Sequence, residues 1–280
     1  MRTGLGGFDH GVVLVRDLDA AQDAWRRMGF STTPRGHHTL GSSNHCMMFG
    51  HDYVELLAVP KPHPSMAYFT EFLSRAEGLA AFAFSGEDGL AAHASFVRDG
   101  IAADPPFEFS RPVERAGGGD ARFRIVQLPQ SATPGMGAFV CQHFTPERVW
   151  LPEDLVHPNG AVGIAGIVVA CDGPVAVATE YGRLADVAPV ASPARGARRV
   201  RVGRVDFDFV RPEALASLLH GGAPAGRDGT HAAVLRISVA DLGVARDALR
   251  SGDVPHQALG DHALAVPASF AQGVAVVLEG

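Results

Sequence analysis

Lysine is nearly missing from this chain: Lys61 is the one lysine among 24 Lys and Arg residues. The arginine excess therefore reflects coding bias more than chemistry. Cysteine is also scarce. Cys46, Cys141 and Cys171 are odd in number and widely spaced, which excludes a disulfide framework and reads as reduced, cytosolic thiols. No uncharged apolar run approaches the roughly 18 residues of a membrane-spanning helix. No basic stretch followed by an apolar one opens the chain, so a cytoplasmic location without membrane contact is expected.

Positive charge is short as well. The net charge is -6 and the pI about 6.1, with no basic aromatic stripe, so nucleic acid is excluded as a partner. The one basic cluster, Arg198, Arg199, Arg201 and Arg204, alternates with Val200 and Val202 and reads as a strand with one solvated charged face. Motifs are missing too. There is no Gly-x-Ser-x-Gly elbow around Ser42 and Ser43, no phosphate loop in Gly4–Gly7 or Gly117–Gly119, and no paired cysteines of a zinc ribbon.

What is present is enough for a sizeable core. Apolar residues make up 46% of 280 and charged residues 19%, a balance that excludes a disordered chain. Four times an apolar, strand-like run leads into a small-residue helix that stops near a glycine: 8–15 then a helix to Met28 and Gly29; 79–84 then 90–98 and Gly100; 164–170 then 175–181 and Gly182; 233–239 then a helix to Arg250 before Gly252. Asp17, Asp88, Asp172 and Asp241 stand near the helix starts, where a side-chain oxygen caps free N–H groups. Shorter strands follow each helix: 30–33, 45–49 and 52–59; 121–128 and 137–144; 198–202 and 205–210; 262–266 and 274–278. The Pro- and Gly-rich insertion 105–119 is expected to be a loop, as is the Ala/Gly/Pro stretch 221–229. The fold class is α+β: four βαβββ modules (7–60, 78–145, 160–212, 230–279), forming two domains of 1–150 and 151–280.

Phe8-Asp9-His10 opening the first strand, and Tyr53-Val54-Glu55-Leu56-Leu57 closing the first module, resemble the vicinal oxygen chelate superfamily, and within it the glyoxalase-like domain group. Residues 39–49, 139–150 and His157-Pro158-Asn159-Gly160 resemble that group too. The resemblance implies two curved mixed sheets, each enclosing a cup. It also implies a divalent metal held by first- and last-strand ligands, or, in a binding branch, no metal.

Neighbouring strands lie about 4.8 Å apart, so His10 and Glu55 can share one ion if they face the same side; the set suits Zn, Ni, Mn, Fe or Co. Asp9 reads as a neighbour of the site. His10 reads equally as a hydrogen-bonded cup residue, and Glu55 as a partner for an arginine or a backbone amide. Aligning Val15-Arg16-Asp17 with Ser85-Gly86-Glu87 puts Ala80 where the family has a second histidine. In the last strand of module two, Gln142 is the first choice for an inward ligand and His143 the second, with Cys141 a buried hydrophobe. Ala165 and Val234 stand at the first-strand positions of modules three and four, Val205 or Asp206 falls near a last-strand position, and Glu279 reads as a lone acid.

His38 and His45 are candidate substrate contacts near the cup mouth, beside His37, and His157 in its Pro-Asn-Gly turn is a third; each also reads as a plain polar loop residue. The expected function is binding of a small organic molecule in the N-terminal cup, with Glu55 catalytic in a metal-dependent lyase or isomerase on a substrate with vicinal oxygens. The alternative is a metal-free binding or resistance module. A protein-interaction scaffold is a third reading, and a homodimer is left open.

Overall fold

The computed structural model describes residues 1–61, 63–115, 117–219 and 229–280; the loop expected at 221–229 falls, but for Gly229, outside them. The first quarter runs β1 (Leu5–Leu14), α1 (Leu18–Arg27), β2 (Gly36–His37), β3 (Ser43–Met48) and β4 (Tyr53–Ala58). After α2 (Ala67–Arg75) come β5 (Gly78–Gly86), α3 (Gly89–Arg98), β6 (Phe107–Pro112), β7 (Asp120–Leu128) and β8 (Gly137–His143). The third quarter holds β9 (Ala161–Ala170), α4 (Pro174–Ala185), β10 (Val190–Ala191), β11 (Arg198–Val202) and β12 (Val205–Val210). After α5 (Pro212–Leu218), the chain ends with β13 (His231–Val239), α6 (Leu242–Ser251), β14 (Gln257–Leu259), β15 (Ala263–Val266) and β16 (Ala275–Glu279).

These strands form two eight-stranded mixed sheets, ordered β2-β3-β4-β1-β5-β8-β7-β6 and β10-β11-β12-β9-β13-β16-β15-β14. Modules therefore pair first with second and third with fourth, a choice the sequence leaves open. The central pairs β1·β5 and β9·β13 are antiparallel, while β1·β4, β5·β8, β9·β12 and β13·β16 are parallel.

Asp17, Asp88 and Asp241 cap α1, α3 and α6, each carboxylate accepting two backbone N–H groups of the first turn. In α4 the cap is Gly173 with Pro174 behind it. That helix does not stop at Gly182 as expected. It runs to Ala185 and ends at Asp186 in the left-handed region, φ 54°. Gly182 serves a close approach instead: an added Cβ would meet the carbonyl oxygen of Val187.

Two further expectations are corrected. Residues 30–33 form no strand, although Thr33 N–H donates to the Cys46 carbonyl of β3 at 2.9 Å, and the short strand lies at Gly36–His37. The 105–119 insertion contains β6, paired along its length with β7 and carrying Phe107 and Phe109. Helices α2 and α5 were not anticipated; α2 lays Tyr68, Phe69, Phe72 and Leu73 against Val12, Leu14 and Leu57.

One apolar core runs across both sheets, joining Trp25, Phe82 and Phe96 to Tyr181, Phe207 and Leu249. Phe82 and Phe207 rings are 4.8 Å apart, and the backbones of Gly7 and Gly203 come so close that a Cβ on either would crowd the other. No helix among the described residues is long and apolar enough to cross a membrane.

Candidate active site in the N-terminal cup

The first sheet curls until its two edges meet: both the backbone N–H and the hydroxyl of Thr39, just after β2, donate to the Ser110 carbonyl of β6 at 3.2 Å. The concave face encloses a cavity of about 80 Å³ lined by His10, His38, Asn44, Tyr53, Glu55, Phe107, Phe109, Arg111, Phe123, Gln127, Phe139 and Cys141, among others. Alternation decides which side chains reach it: Asn44 and Cys46 from β3, Tyr53 and Glu55 from β4, Phe139 and Cys141 from β8.

His10 and Glu55 meet there. Both are buried, and His10 Nε2 lies 3.8 Å from Glu55 Oε2. Each is held from behind. His10 Nδ1 is 2.5 Å from Asp9 Oδ1, and Asn44 Nδ2 donates to Glu55 Oε1 at 2.6 Å. Tyr53 stacks on the His10 ring at 4.3 Å, and Phe139 meets it edge-on at 5.4 Å.

Asp9 reaches His10 because of a β-bulge. Phe8 pairs with Phe84 and His10 with Ala83, which leaves Asp9 as the extra residue. Its Oδ1 also faces His143 Nε2 at 3.1 Å. Burial pushes the Asp9 carboxyl up, but the charges and hydrogen bonds of His143 and His10 outweigh it and hold Asp9 well below the usual carboxylate range. An ionised carboxylate only accepts, so His10 Nδ1–H donates to Asp9, and Nε2 is the ring nitrogen turned toward Glu55. The same logic makes His143 Nε2 a donor; its Nδ1 is buried without a partner among the described residues.

A second donor set sits behind the cavity wall. Asp9, Cys141 and His143 bring one ligand atom each to within 4.8 Å of one another. Of these, only Cys141 lines the cavity, and burial pushes its thiol far up.

Other expected site residues are placed elsewhere. Gln142 points to the opposite face of β8, where its Oε1 accepts from Gly89 N at 3.0 Å and its Nε2 donates to Glu87 O; the one-residue register slip favours His143. His45 also faces away from the cup, with Nδ1 2.8 Å from Thr33 O and close to Gln22. His157 ties the linker to the first domain: its Nδ1 accepts from Ser31 N at 3.0 Å and its Nε2 donates to Met48 O at 2.9 Å. His38 does line the cavity, with Nδ1 2.8 Å from Ser42 Oγ. Burial, helped by Arg111, pulls its pKa down to about 4 against the opposing pull of Glu55, so it is neutral near pH 7.

Register corrects the comparison of modules. The bulges at Asp9, Ala80, Ala165 and Ala233 correspond, so Ala81, Gly166 and Val234 are the counterparts of His10. Because His10 pairs with Tyr53, Ala81 with Gly137 and Gly166 with Asp206, the counterparts of Glu55 are Phe139 and Asp208. Module two therefore adds no ligand at either position. In the second domain the cup face is occupied by ion pairs. Arg199 meets Asp206 at 2.8 Å and Asp208 at 2.7 Å, while Arg236 joins Asp208 at 3.1 Å to Glu279 at 2.8 Å. Glu279 is thus no lone acid, and Arg199 no solvated face.

Sequence reasoning missed Asn44, Arg111 and Phe139, and gave Asp9 no part in orienting His10. Asn44 carried a readable signal, since it alternates with Cys46, the β3 residue opposite Glu55. Arg111 and Phe139 carried none without the sheet closure.

Residues 8–185 match the family model described as the glyoxalase-like domain. The chain belongs to that family. No curated protein matches it. Among solved structures, this glyoxalase-like protein is similar to a hypothetical protein from Staphylococcus aureus (TM-score 0.71, 12% identity, 97% of this chain and 98% of that one). It also resembles a triple mutant of 4-hydroxymandelate synthase from Streptomyces coelicolor (TM-score 0.61, 14% identity, 99% and 94%). A third likeness is to a xylose isomerase-like TIM barrel/4-hydroxyphenylpyruvate dioxygenase fusion protein (TM-score 0.61, 14% identity, 100% of this chain), of which the chain spans 50%. These likenesses show the fold alone.

Proposed function

We propose that the N-terminal cup binds a small organic molecule and that His10 and Glu55 hold one divalent metal there, in a metal-dependent lyase or isomerase acting on a substrate with neighbouring oxygens. One observation carries this reading: two atoms able to ligate a metal, His10 Nε2 and Glu55 Oε2, face each other across 3.8 Å, beyond hydrogen-bond reach, each residue braced by its own partner, Asp9 or Asn44. Two such atoms leave a gap that suits a cation, and a carboxylate behind a histidine is the usual support of a metal ligand. The donor set fits Zn, Ni, Mn or Fe, with the remaining positions left to water or substrate.

When bound, the ion would supply Lewis acidity to a substrate oxygen. The protein's own residues do the rest. Asp9 fixes the tautomer and orientation of His10. Asn44 holds one oxygen of Glu55 and aims the other into the cup, where it either ligates the ion or shuttles a proton. Tyr53 and Phe139 keep water from the imidazole, which strengthens every charge interaction in the cup. The second cup plays no part, because its own arginines and carboxylates occupy it.

A metal-free binding module is the second reading, favoured by Ala81 and Phe139 at the places where module two would complete a metal shell. Metal analysis of protein purified without chelator separates the two, compared with His10→Ala and Glu55→Ala. Stoichiometric metal lost from both variants supports the metal-dependent reading. Protein that takes up none of Zn, Ni, Mn or Fe on supplementation overturns it, and ligand binding indifferent to those ions then favours the binding module.

A further inference from the structure

Strand β6 presents alternate residues to the cup: Phe107, Phe109 and then Arg111. Two rings and a guanidinium thus stand in a row on one wall, with Phe123 stacked against Phe109 at 5.0 Å. Arg111 is half-buried. Among the described residues, Arg199 and Arg236 are paired to carboxylates, and Arg2 to Asp99 and backbone carbonyls. Arg111 has no hydrogen bond and no ion pair from its guanidinium among the described residues. Its field is felt in the cup all the same, where it helps to keep His38 neutral.

The fold makes room for this side chain. Gly36 in β2 lies under it, and a Cβ there would meet Asn44 Oδ1 and come within 3.2 Å of the Arg111 Cδ. The edge strands meet at Thr39 and Ser110, so the residue after Ser110 is carried to the cavity. An arginine held at an apolar cavity without a counter-charge is costly unless something else pairs with it. The planar fork of a guanidinium matches a carboxylate with two parallel hydrogen bonds.

We infer that the ligand of this cup is a small carboxylate with an apolar, ring-bearing body, its carboxylate on Arg111 and its body between Phe109, Phe123 and Phe139. This rests on the reading that the cup holds a small organic molecule, and it adds the charge and character of that molecule. Arg111 is the specificity determinant, reading the carboxylate end of the ligand.

The test is calorimetric titration of the full chain with benzoate, phenylacetate and 3-phenylpropanoate, each against its neutral amide, with benzyl alcohol as an uncharged arene. At least one carboxylate should bind roughly tenfold or more tightly than its amide, the effect expected of a charge-assisted hydrogen bond. Arg111→Gln should erase that preference and Arg111→Lys keep part of it. Equal binding of carboxylates and amides, or a preference that survives Arg111→Gln, overturns the inference while the cup reading stands. If no probe binds, benzyl alcohol included, both fall. A melting temperature of Arg111→Gln close to that of the wild type shows that the loss is one of recognition and not of folding.

Discussion

Asp9 and His10, neighbours in one strand, turn their side chains to each other at 2.5 Å. In a regular strand they would lie on opposite faces of the sheet. The bulge opposite Ala83 breaks that alternation and makes Asp9 the orienting partner of the imidazole. Asp9→Asn keeps the size but removes the charge that fixes the Nδ1 proton. Metal affinity in a competitive chelator titration is expected to fall roughly 10- to 100-fold. An unchanged affinity would show that His10 needs no such support.

Asp52 joins the two domains, its Oδ1 accepting from Ile164 N at 3.0 Å. Burial pushes its pKa up to about 7, against the pull of that hydrogen bond. In the unfolded chain it titrates near pH 4, at about 3.9. Between those values the folded state holds a proton that the unfolded state has lost. This contribution to stability is therefore fully present below about pH 4 and is lost as the pH rises through about 7. Asp52→Asn retains the acceptor and should flatten that part of the curve of urea midpoint against pH. A variant curve parallel to the wild type from about pH 5 to 8 would rule out Asp52 as the source.

His157 acts on the fold and not on the ligand. His157→Ala leaves the Ser31 N–H and the Met48 carbonyl without their partner, which should cost about 2–4 kcal/mol in urea unfolding. Binding of any cup ligand, measured on the folded variant at low temperature, should be unchanged. A selective loss of affinity without loss of stability would return His157 to the site.

The ion pairs of the second cup should differ sharply in weight. Arg236 bridges Asp208 and Glu279 with its side chain 24% exposed, and Arg236→Ala strands Glu279 and leaves Asp208 to Arg199, at a cost of roughly 2–4 kcal/mol. Arg201 pairs with Asp206 but is 63% exposed, and Arg201→Ala should stay within about 1 kcal/mol. Equal losses in parallel denaturation curves would contradict the assignment of Arg236 as the hub.

Phe139 occupies in module two the place of Glu55 in module one. Phe139→Glu puts a second carboxylate beside His10. The metal-free variant should melt below the wild type, because it buries an unpaired charge. Added metal should then raise its melting temperature by more than it raises that of the wild type. No difference in the metal-induced shift would mean that the two positions do not share one cup.

The order of elements could be read along the chain because its causes are local. Asp17, Asp88 and Asp241 cap their helices wherever the chain goes, and alternation in 121–128 and 205–210 marks strands without reference to their partners. The pair of His10 with Glu55 was legible for a related reason: the two stand on adjacent parallel strands of one module, about one strand spacing apart. Where reading failed, the deciding contact was distant. Strand β6 exists because β7 lends it a ladder, and a Pro-rich stretch alone does not announce that. Gln142 and His143 differ only in the face they present, and one bulge or one residue of register exchanges those faces.

The sequence by itself thus determined the strand and helix alphabet, the pairing of an imidazole with a carboxylate in the first module, and the poverty of the other three in metal ligands. Only the tertiary structure decided that modules pair in chain order, that Asp9 stands behind His10, that His45, Gln142 and His157 face away from the cup, and that Arg111 lines it. The physical reason is that alternation and capping are set by neighbours a few residues apart. Bulges, sheet closure and unpaired charges are set by strands that meet from residues far apart in the chain.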